Sequence, residues 1–295
     1  MKKTLSAKIF TGFNVLILLL LCISILFPFV QQVVISFSPP NEADIIGLHL
    51  FVRHPTLDAY RQVMVGSLPN AYFWTILRTV LGTFLTITVS CMLAYPLSKR
   101  YLVGRKFWVA MIVFTMFFGG GLIPTYLLIR NLHLFNTVWA LVLPGMCSAY
   151  NIVIIRNFFS SLPAEVEESA YIDGANDVQV FFTIVVPLSA PIIATVTLWS
   201  MVGQWNQWFD AMIYLNGSKI QVLQILLRNV LESAQNSATA ALAGKVPANE
   251  MAGQLYTEES VKAAILMATT LPIICIYPFL QKYFVKGIMI GAVKG

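Results

Sequence analysis

Long apolar runs separated by short polar segments organise this chain. Crossing about 30 Å of hydrocarbon takes roughly 18 or more apolar residues, and six runs reach that length. The pattern predicts spans at 12–37, with Pro28 inside, then 72–97, 107–129, 137–159, 182–205 and 261–284. Two connecting segments are long, 38–71 and 208–260. Within the second, Ile220–Glu232 (IQVLQILLRNVLE) predicts an amphipathic helix. Thr257 followed by Glu258 and Glu259 predicts the start of the last helix, where acids meet the positive end of the helix dipole. The expected fold is all-α, a polytopic membrane helix bundle. Its expected parts are a first span with its outer loop (1–71), a five-helix core (72–287) and a short tail (288–295).

Composition agrees. Of 295 residues, 58% are hydrophobic and 11% charged, against about 25% charged in soluble domains. The net charge of +6 does not point to nucleic acid, because the bases sit in short loops beside apolar runs. Cys22, Cys91, Cys147 and Cys275 all fall inside apolar runs without CxxC spacing, so they read as small buried hydrophobes. His49, His54 and His133 lie in or beside polar loops. No span carries the acid–histidine cluster that a metal site, proton relay or intramembrane enzyme needs. Lys2, Lys3 and Lys8 precede the first run as in a signal peptide. That run is far longer than an h-region of about 7–15 residues, so it is expected to be retained.

The bases set an expected orientation. Lys99, Arg100, Arg105 and Lys106 crowd one short loop, and Lys282, Lys286 and Lys294 follow the last span. With six spans these fall on the same side as the N-terminal lysines, the cytoplasm by the positive-inside rule. The segment at 160–181 falls on that side too, yet it holds Glu165, Glu167, Glu168, Asp173 and Asp177 and no base. A loop that opposes the insertion signal has another task.

Its sequence, LPAEVEESAYIDGANDVQVFFTIVVPLSAP, predicts two short helices with a hinge. Pro163 suits a first turn, where its missing N–H is no loss. Glu165, Glu167 and Glu168 then stand near the helix N-terminus. Gly174 falls where the helix ends and predicts a left-handed cap. Asn176 with Gln179 predicts a capping box for the second helix. Ala170 and Ala175 are small enough to let a partner surface approach closely. Pro187 and Pro191 bend or pin the start of the next span.

The pattern Glu168-x-Ala170-x-x-Asp173-Gly174-Ala175, eight further residues, then Ile184-x-x-Pro187, resembles the EAA motif of binding-protein-dependent ABC importer permeases of the MetI-like type. Ser169 stands for the usual second alanine and Val186 for leucine. The resemblance extends over nearly the whole chain. Together with the tail QKYFVKGIMIGAVKG, it is closest to oligosaccharide permeases, the smaller maltose-type permease and those for polysaccharide oligomers. It implies a coupling helix between spans 4 and 5, gripped by a cytoplasmic ATPase dimer that binds ATP and Mg. The coupling residues would be Glu165, Glu168, Ser169, Ala170, Asp173, Gly174, Ala175, Ile184 and Pro187. It further implies a second homologous permease, so a heterodimer, an extracytoplasmic solute-binding protein, and a lipid-embedded site in the bacterial cell membrane. The chain holds no G-x-x-x-x-G-K-[ST], so ATP hydrolysis belongs to a partner and the chain itself is not an enzyme and carries no cofactor.

Two further groups have open readings. Gly119, Gly120, Gly121 and Pro124 in the third run mean either close helix packing or a bend that serves as a gate. Trp199, Gln204, Trp205, Asn206 and Trp208 form either an interfacial aromatic belt or a sugar-stacking surface. Tyr150 and Asn151 are a second candidate pair on the substrate path. Arg78 and Arg156 read as anchors near the interface. The competing class, an ion-gradient-driven secondary transporter or channel, calls for inverted repeats and intramembrane acids. No acid occurs between 107 and 159, and no repeat is visible.

Overall fold

The computed structural model describes residues 4–43, 50–242 and 257–292. Lys2, Lys3, His49, Lys245 and Lys294 lie outside these residues. Among the described residues all regular structure is helical. α1 (Leu5–Ser36), α2 (Pro40–Ala43) and α3 (Asp58–Val65) precede the long α4 (Leu68–Ser98). α5 (Arg105–Phe117), α6 (Leu122–Asn131) and α7 (Trp139–Val142) lead through a 3₁₀ turn at Leu143–Gly145 to α8 (Ala149–Phe159). The acidic segment holds α9 (Ala164–Ile172) and α10 (Asp177–Val180). A π-helical stretch, Phe181–Val185, and the single turn α11 (Val186–Leu188) join α10 to α12 (Ala190–Asn206). α13 (Phe209–Tyr214), α14 (Leu223–Leu242) and α15 (Glu258–Ala292) follow. The amphipathic helix expected at Ile220 thus begins at Leu223, and helix continues past residue 288 to Ala292.

Three helices are continuous, long and apolar enough to span: Ser6–Ser36, Leu68–Ser98 and Glu258–Ile276. The third, fourth and fifth runs are each a bent pair. α5 and α6 meet at 107°, the stretch Trp139–Gly145 meets α8 at 49°, and Asp177–Leu188 meets α12 at 79°. Each break has a local cause. Gly121 has φ +84° at the α5–α6 bend, and a Cβ on Gly119 or Gly121 would meet nothing within 4 Å. Within this chain those two glycines stand at a bend with open space around them. Pro144 sits in the 3₁₀ turn, and Ser148 caps α8 by accepting from the Asn151 N–H at 3.4 Å. Pro187 has no N–H to donate, and the helix before it widens into the π-helical turn.

The chain forms two compact units, Met1–Leu68 with Leu226–Leu271, and Pro69–Ile225 with Pro272–Gly295. In the first, Ile35, Ala43 and Ala263 are buried together, and the Tyr60 hydroxyl donates to Ser36 Oγ at 2.9 Å. Thr257 and Ser260 cap α15 reciprocally, Ser260 N–H to Thr257 Oγ1 at 3.1 Å and Thr257 N–H to Ser260 Oγ at 3.0 Å. The second unit holds two apolar clusters. One joins the end of α4 (Cys91, Ala94, Tyr95, Leu97) to α8 (Ile152, Ile155, Phe159), to Val180, Phe181 and Val185, and to Val196 of α12. The other joins Ile129, Ala140, Leu141, Ala211, Tyr214 and Val222. At the first cluster the Leu97 carbonyl, at the C-terminus of α4, accepts from Arg105 Nε at 3.0 Å and Arg156 Nε at 3.1 Å. Cations there meet the negative end of the dipole.

Candidate coupling loop and transport cavity

The acidic loop is a rigid pair of capped helices. Pro163 is the residue before α9, one position ahead of the expected first turn, and Glu165 and Glu167 occupy that turn. At the far end Gly174 has φ +85°. The Ala175 N–H donates to the Ala170 carbonyl at 2.9 Å, and the Gly174 N–H donates to the Tyr171 carbonyl at 3.1 Å. This pair of bonds is a Schellman motif, which glycine closes at no steric cost. Asn176 and Gln179 then form the capping box. Gln179 N–H donates to Asn176 Oδ1 and Asn176 N–H to Gln179 Oε1, each at 2.9 Å. Caps at both sides of Gly174 fix the angle between α9 and α10.

The loop has distinct inner and outer faces. Ala170 and Ala175 are half-buried and pack on the cluster shared with α4, α8 and α12. Their small size brings the loop close to its own bundle. Ile184 is half-buried and Pro187 exposed. Glu167 also points inward, forming an ion pair with Lys99, and Lys99 Nζ lies 4.3 Å from the centre of the Tyr95 ring. Tyr171 donates to Asp177 Oδ1 at 2.7 Å and Tyr101 donates to the same oxygen at 3.3 Å. The hydroxyls of Tyr95 and Tyr171 lie 3.3 Å apart. Partial burial, together with the Asp177 carboxylate, pushes the phenols of Tyr101 and Tyr171 above their ordinary range, so both remain donors. Two of the five acids are therefore engaged within the chain. Glu165, Glu168, Ser169 and Asp173 face outward, with Val178 beside them and Ile172 86% exposed. Sequence reasoning missed Ile172, Lys99, Tyr95 and Tyr101. The local signal on offer was an isoleucine, Ile172, two residues before Gly174 in an acidic stretch.

A cavity of about 480 Å³ opens among the broken helices of the same unit. Thr86, Ser148, Asn151, Ser200 and Gln204 give it a polar wall, with Phe209 and Tyr214 beside them. Arg78 reaches it from α4. The expectation of Arg78 as an interface anchor is corrected, since the residue is 1% exposed. Its Nε donates to Gln204 Oε1 at 3.2 Å, one terminal nitrogen to the Gln207 carbonyl at 2.8 Å, and the other to Asp210 Oδ2 at 2.5 Å. Gly82 makes room for this arrangement: a Cβ there would stand 2.6 Å from Gln204 Cδ. Of the candidates from sequence, Asn151 and Gln204 meet in this cavity. Tyr150 and Trp199 are exposed and pair with each other, ring centres 6.2 Å apart. Trp205 is buried beside a separate, apolar cavity with Ile76, Val80 and Pro272. Asn206 and Trp208 are exposed, and Trp208 packs edge-on against Phe209.

A helical bundle with long apolar helices and a polar cavity among its broken helices has the architecture of a membrane transport subunit. The chain belongs to the family described as binding-protein-dependent transport system inner membrane component, whose pattern matches residues 63–290. Members are multi-pass permease subunits of ABC importers that work with a separate ATPase and a solute-binding protein, and ATP hydrolysis belongs to the ATPase. Protein LplC of Bacillus subtilis is 39% identical over 300 residues, covering 100% of this chain and 98% of the relative. The polygalacturonan/rhamnogalacturonan transport system permease protein YtcP of Bacillus subtilis is 38% identical, with 100% of both chains covered. Among solved structures, a chain of a bacterial ABC transporter involved in import of the acidic polysaccharide alginate superposes with a TM-score of 0.86 at 31% identity, covering 96% of this chain and 99% of that one.

Proposed function

We propose that this chain is one of two unlike permease subunits in an ABC importer for oligosaccharides released from complex polysaccharides. The names of its relatives support the carbohydrate assignment. The polar cavity, rich in hydroxyl and amide groups with aromatic rings at its edge, is the chain's half of the path. The 72–287 segment acts as the permease core, with the first span facing lipid and a partner permease completing the path. The ATPase docks on the outer face of α9 and α10, through Glu165, Glu168, Asp173 and Ile172. The Gly119–Gly121 bend is the gate point, and the 208–260 segment, with α14 in it, meets the binding protein outside the cell.

The observation that carries this reading is the seating of the loop. Two helices of fixed mutual angle present an acidic face outward and are packed inward on the same cluster as α4, α8 and α12. A push on that face therefore moves helices that line the cavity. The reading places both termini, the 98–106 loop and the 160–181 loop in the cytoplasm. A single cysteine at Gln179, in a cysteine-free background, should resist an impermeant thiol reagent in intact cells and react in inverted vesicles. Labelling in intact cells would reverse the topology and remove the ATPase from this face.

A further inference from the structure

Two guanidinium groups converge on one atom at the end of α4. The Leu97 carbonyl accepts from Arg105 Nε, at the start of α5, and from Arg156 Nε, in the last turn of α8. Both side chains are half-buried. Among the described residues no carboxylate pairs with either. The inward-facing acids of the coupling loop are already engaged, Glu167 by Lys99 and Asp177 by Tyr101 and Tyr171. The negative end of the α4 dipole supplies only about half a unit charge against two positive ones. Arg105 is also the first residue of α5, whose positive dipole end has no side-chain cap. Like charges held this close repel, and an anion between them removes the repulsion. The shared carbonyl also fixes both forks. One terminal nitrogen of Arg156 donates to Asn157 Oδ1 at 2.9 Å, in an exposed bond, and both terminal nitrogens of Arg105 are without a partner among the described residues. Guanidinium donors in a fixed fork match the oxygens of a phosphate. The surface beside the pair is apolar. α5 buries none of its residues within this chain, and Phe107, Met111 and Phe114 form an exposed row at i, i+4 and i+7. Trp108 is exposed too, its indole nitrogen 3.5 Å from where a Cβ on Gly104 would stand, as suits a membrane–water interface.

We infer that Arg105 and Arg156 form a binding site for the phosphate of an anionic phospholipid, whose acyl chains lie along the exposed row of α5. In the proposed orientation this lipid belongs to the cytoplasmic leaflet. Its phosphate ties the end of α4 to α5 and α8, two residues from Lys99, which anchors the coupling loop. The site needs neither a saccharide nor the ATPase.

The test is native mass spectrometry of the full complex of both permeases and the ATPase. The complex is supplied with equal amounts of phosphatidylglycerol and phosphatidylcholine of the same acyl chains. The first lipid retained on this chain should be phosphatidylglycerol by about 30-fold, roughly fivefold for each arginine. Arg105→Gln should lower that preference to about fivefold, and Arg105→Gln with Arg156→Gln to within about threefold. Equal retention of the two lipids by the unmodified chain would overturn the inference, as would an unchanged preference in the double variant. Inorganic phosphate at the lipid's concentration should leave the phosphatidylglycerol in place. Its displacement would give the site to a soluble phosphate and overturn the lipid assignment. Where the double variant does not assemble, phosphatidylglycerol with a photoreactive headgroup decides, in nanodiscs holding the unmodified complex. Adducts are expected within 97–108 and 153–160. Adducts confined to other segments, or to the partner permease, would overturn the site. Each of these failures leaves the importer reading standing, because none of them measures transport or contact with the ATPase.

Discussion

Replacing Lys99 with methionine should release the coupling loop from α4 while leaving the bundle folded. Lys99 and Glu167 form an ion pair with side chains only 11% and 14% exposed. Methionine keeps the length and apolar stem of lysine but leaves Glu167 half-buried without its cation. A hydrogen bond to a charged group contributes about 1.5–3 kcal/mol, and breaking a fully buried pair costs about 3–5 kcal/mol. For this partly buried pair a cost of about 2–3 kcal/mol follows, and the contact of Lys99 over the Tyr95 ring adds about 0.5–1 kcal/mol. A total of about 2.5–4 kcal/mol shifts an equilibrium about 70- to 850-fold. α9 has 9 residues, too few to be stable as an isolated helix, so its order depends on such tethers. Amide hydrogen exchange in nanodiscs reads the effect directly. Protection of the α9 amides should fall by that factor, and protection in the middle of α4 should not change. Stimulated ATP hydrolysis should fall with it. Exchanging the charges, Lys99→Glu with Glu167→Lys, should recover much of the protection. Unchanged exchange in Lys99→Met would refute the reasoning, since the loop would then be held by the Tyr171–Asp177 contacts and the alanine packing alone.

Arg78→Met should destabilise the second unit by about 3–5 kcal/mol, because Asp210 is left with a buried, uncompensated charge. Thermal unfolding in detergent checks this, and adding Asp210→Leu should restore most of the loss. Gly174→Val places a β-branched residue at φ +85° with open space around the Cβ, so the cost is backbone strain of about 1–2 kcal/mol and not a clash. Insertion and pairing with the second permease should survive, as read by co-purification, while stimulated ATP hydrolysis and uptake fall together.

The helical membrane architecture was legible because hydrocarbon demands long apolar runs, and those are visible without any structure. The two-helix loop was legible for a different reason. Gly174, Asn176 and Gln179 act through local backbone geometry, and local geometry is written in short sequence patterns. What escaped depends on contacts distant along the chain. Arg78 lies 126 residues from Gln204 and 132 from Asp210, and nothing near it in sequence marks it as a partner of either. The inward turn of Glu167, unlike its neighbour Glu168, depends on Lys99, 68 residues away. Ala170 and Ala175 suited close approach from either side, and the bundle occupies the side expected for the partner. The breaks in the middle spans were signalled by Gly119–Gly121, Pro144 and Pro187, but the angle of each bend is set by the packing around it.

Coupling through this loop requires that the ATPase touch the outer face of α9. A photo-reactive residue at Ile172, and another at Glu168, can be placed in the full complex and activated during turnover with binding protein and ATP present. The expected product at both positions is a covalent adduct with the ATPase subunit, identified by mass spectrometry of the crosslinked peptides. Adducts only with this chain, its partner permease or lipid would contradict the claim that this loop is where ATP hydrolysis is coupled to transport.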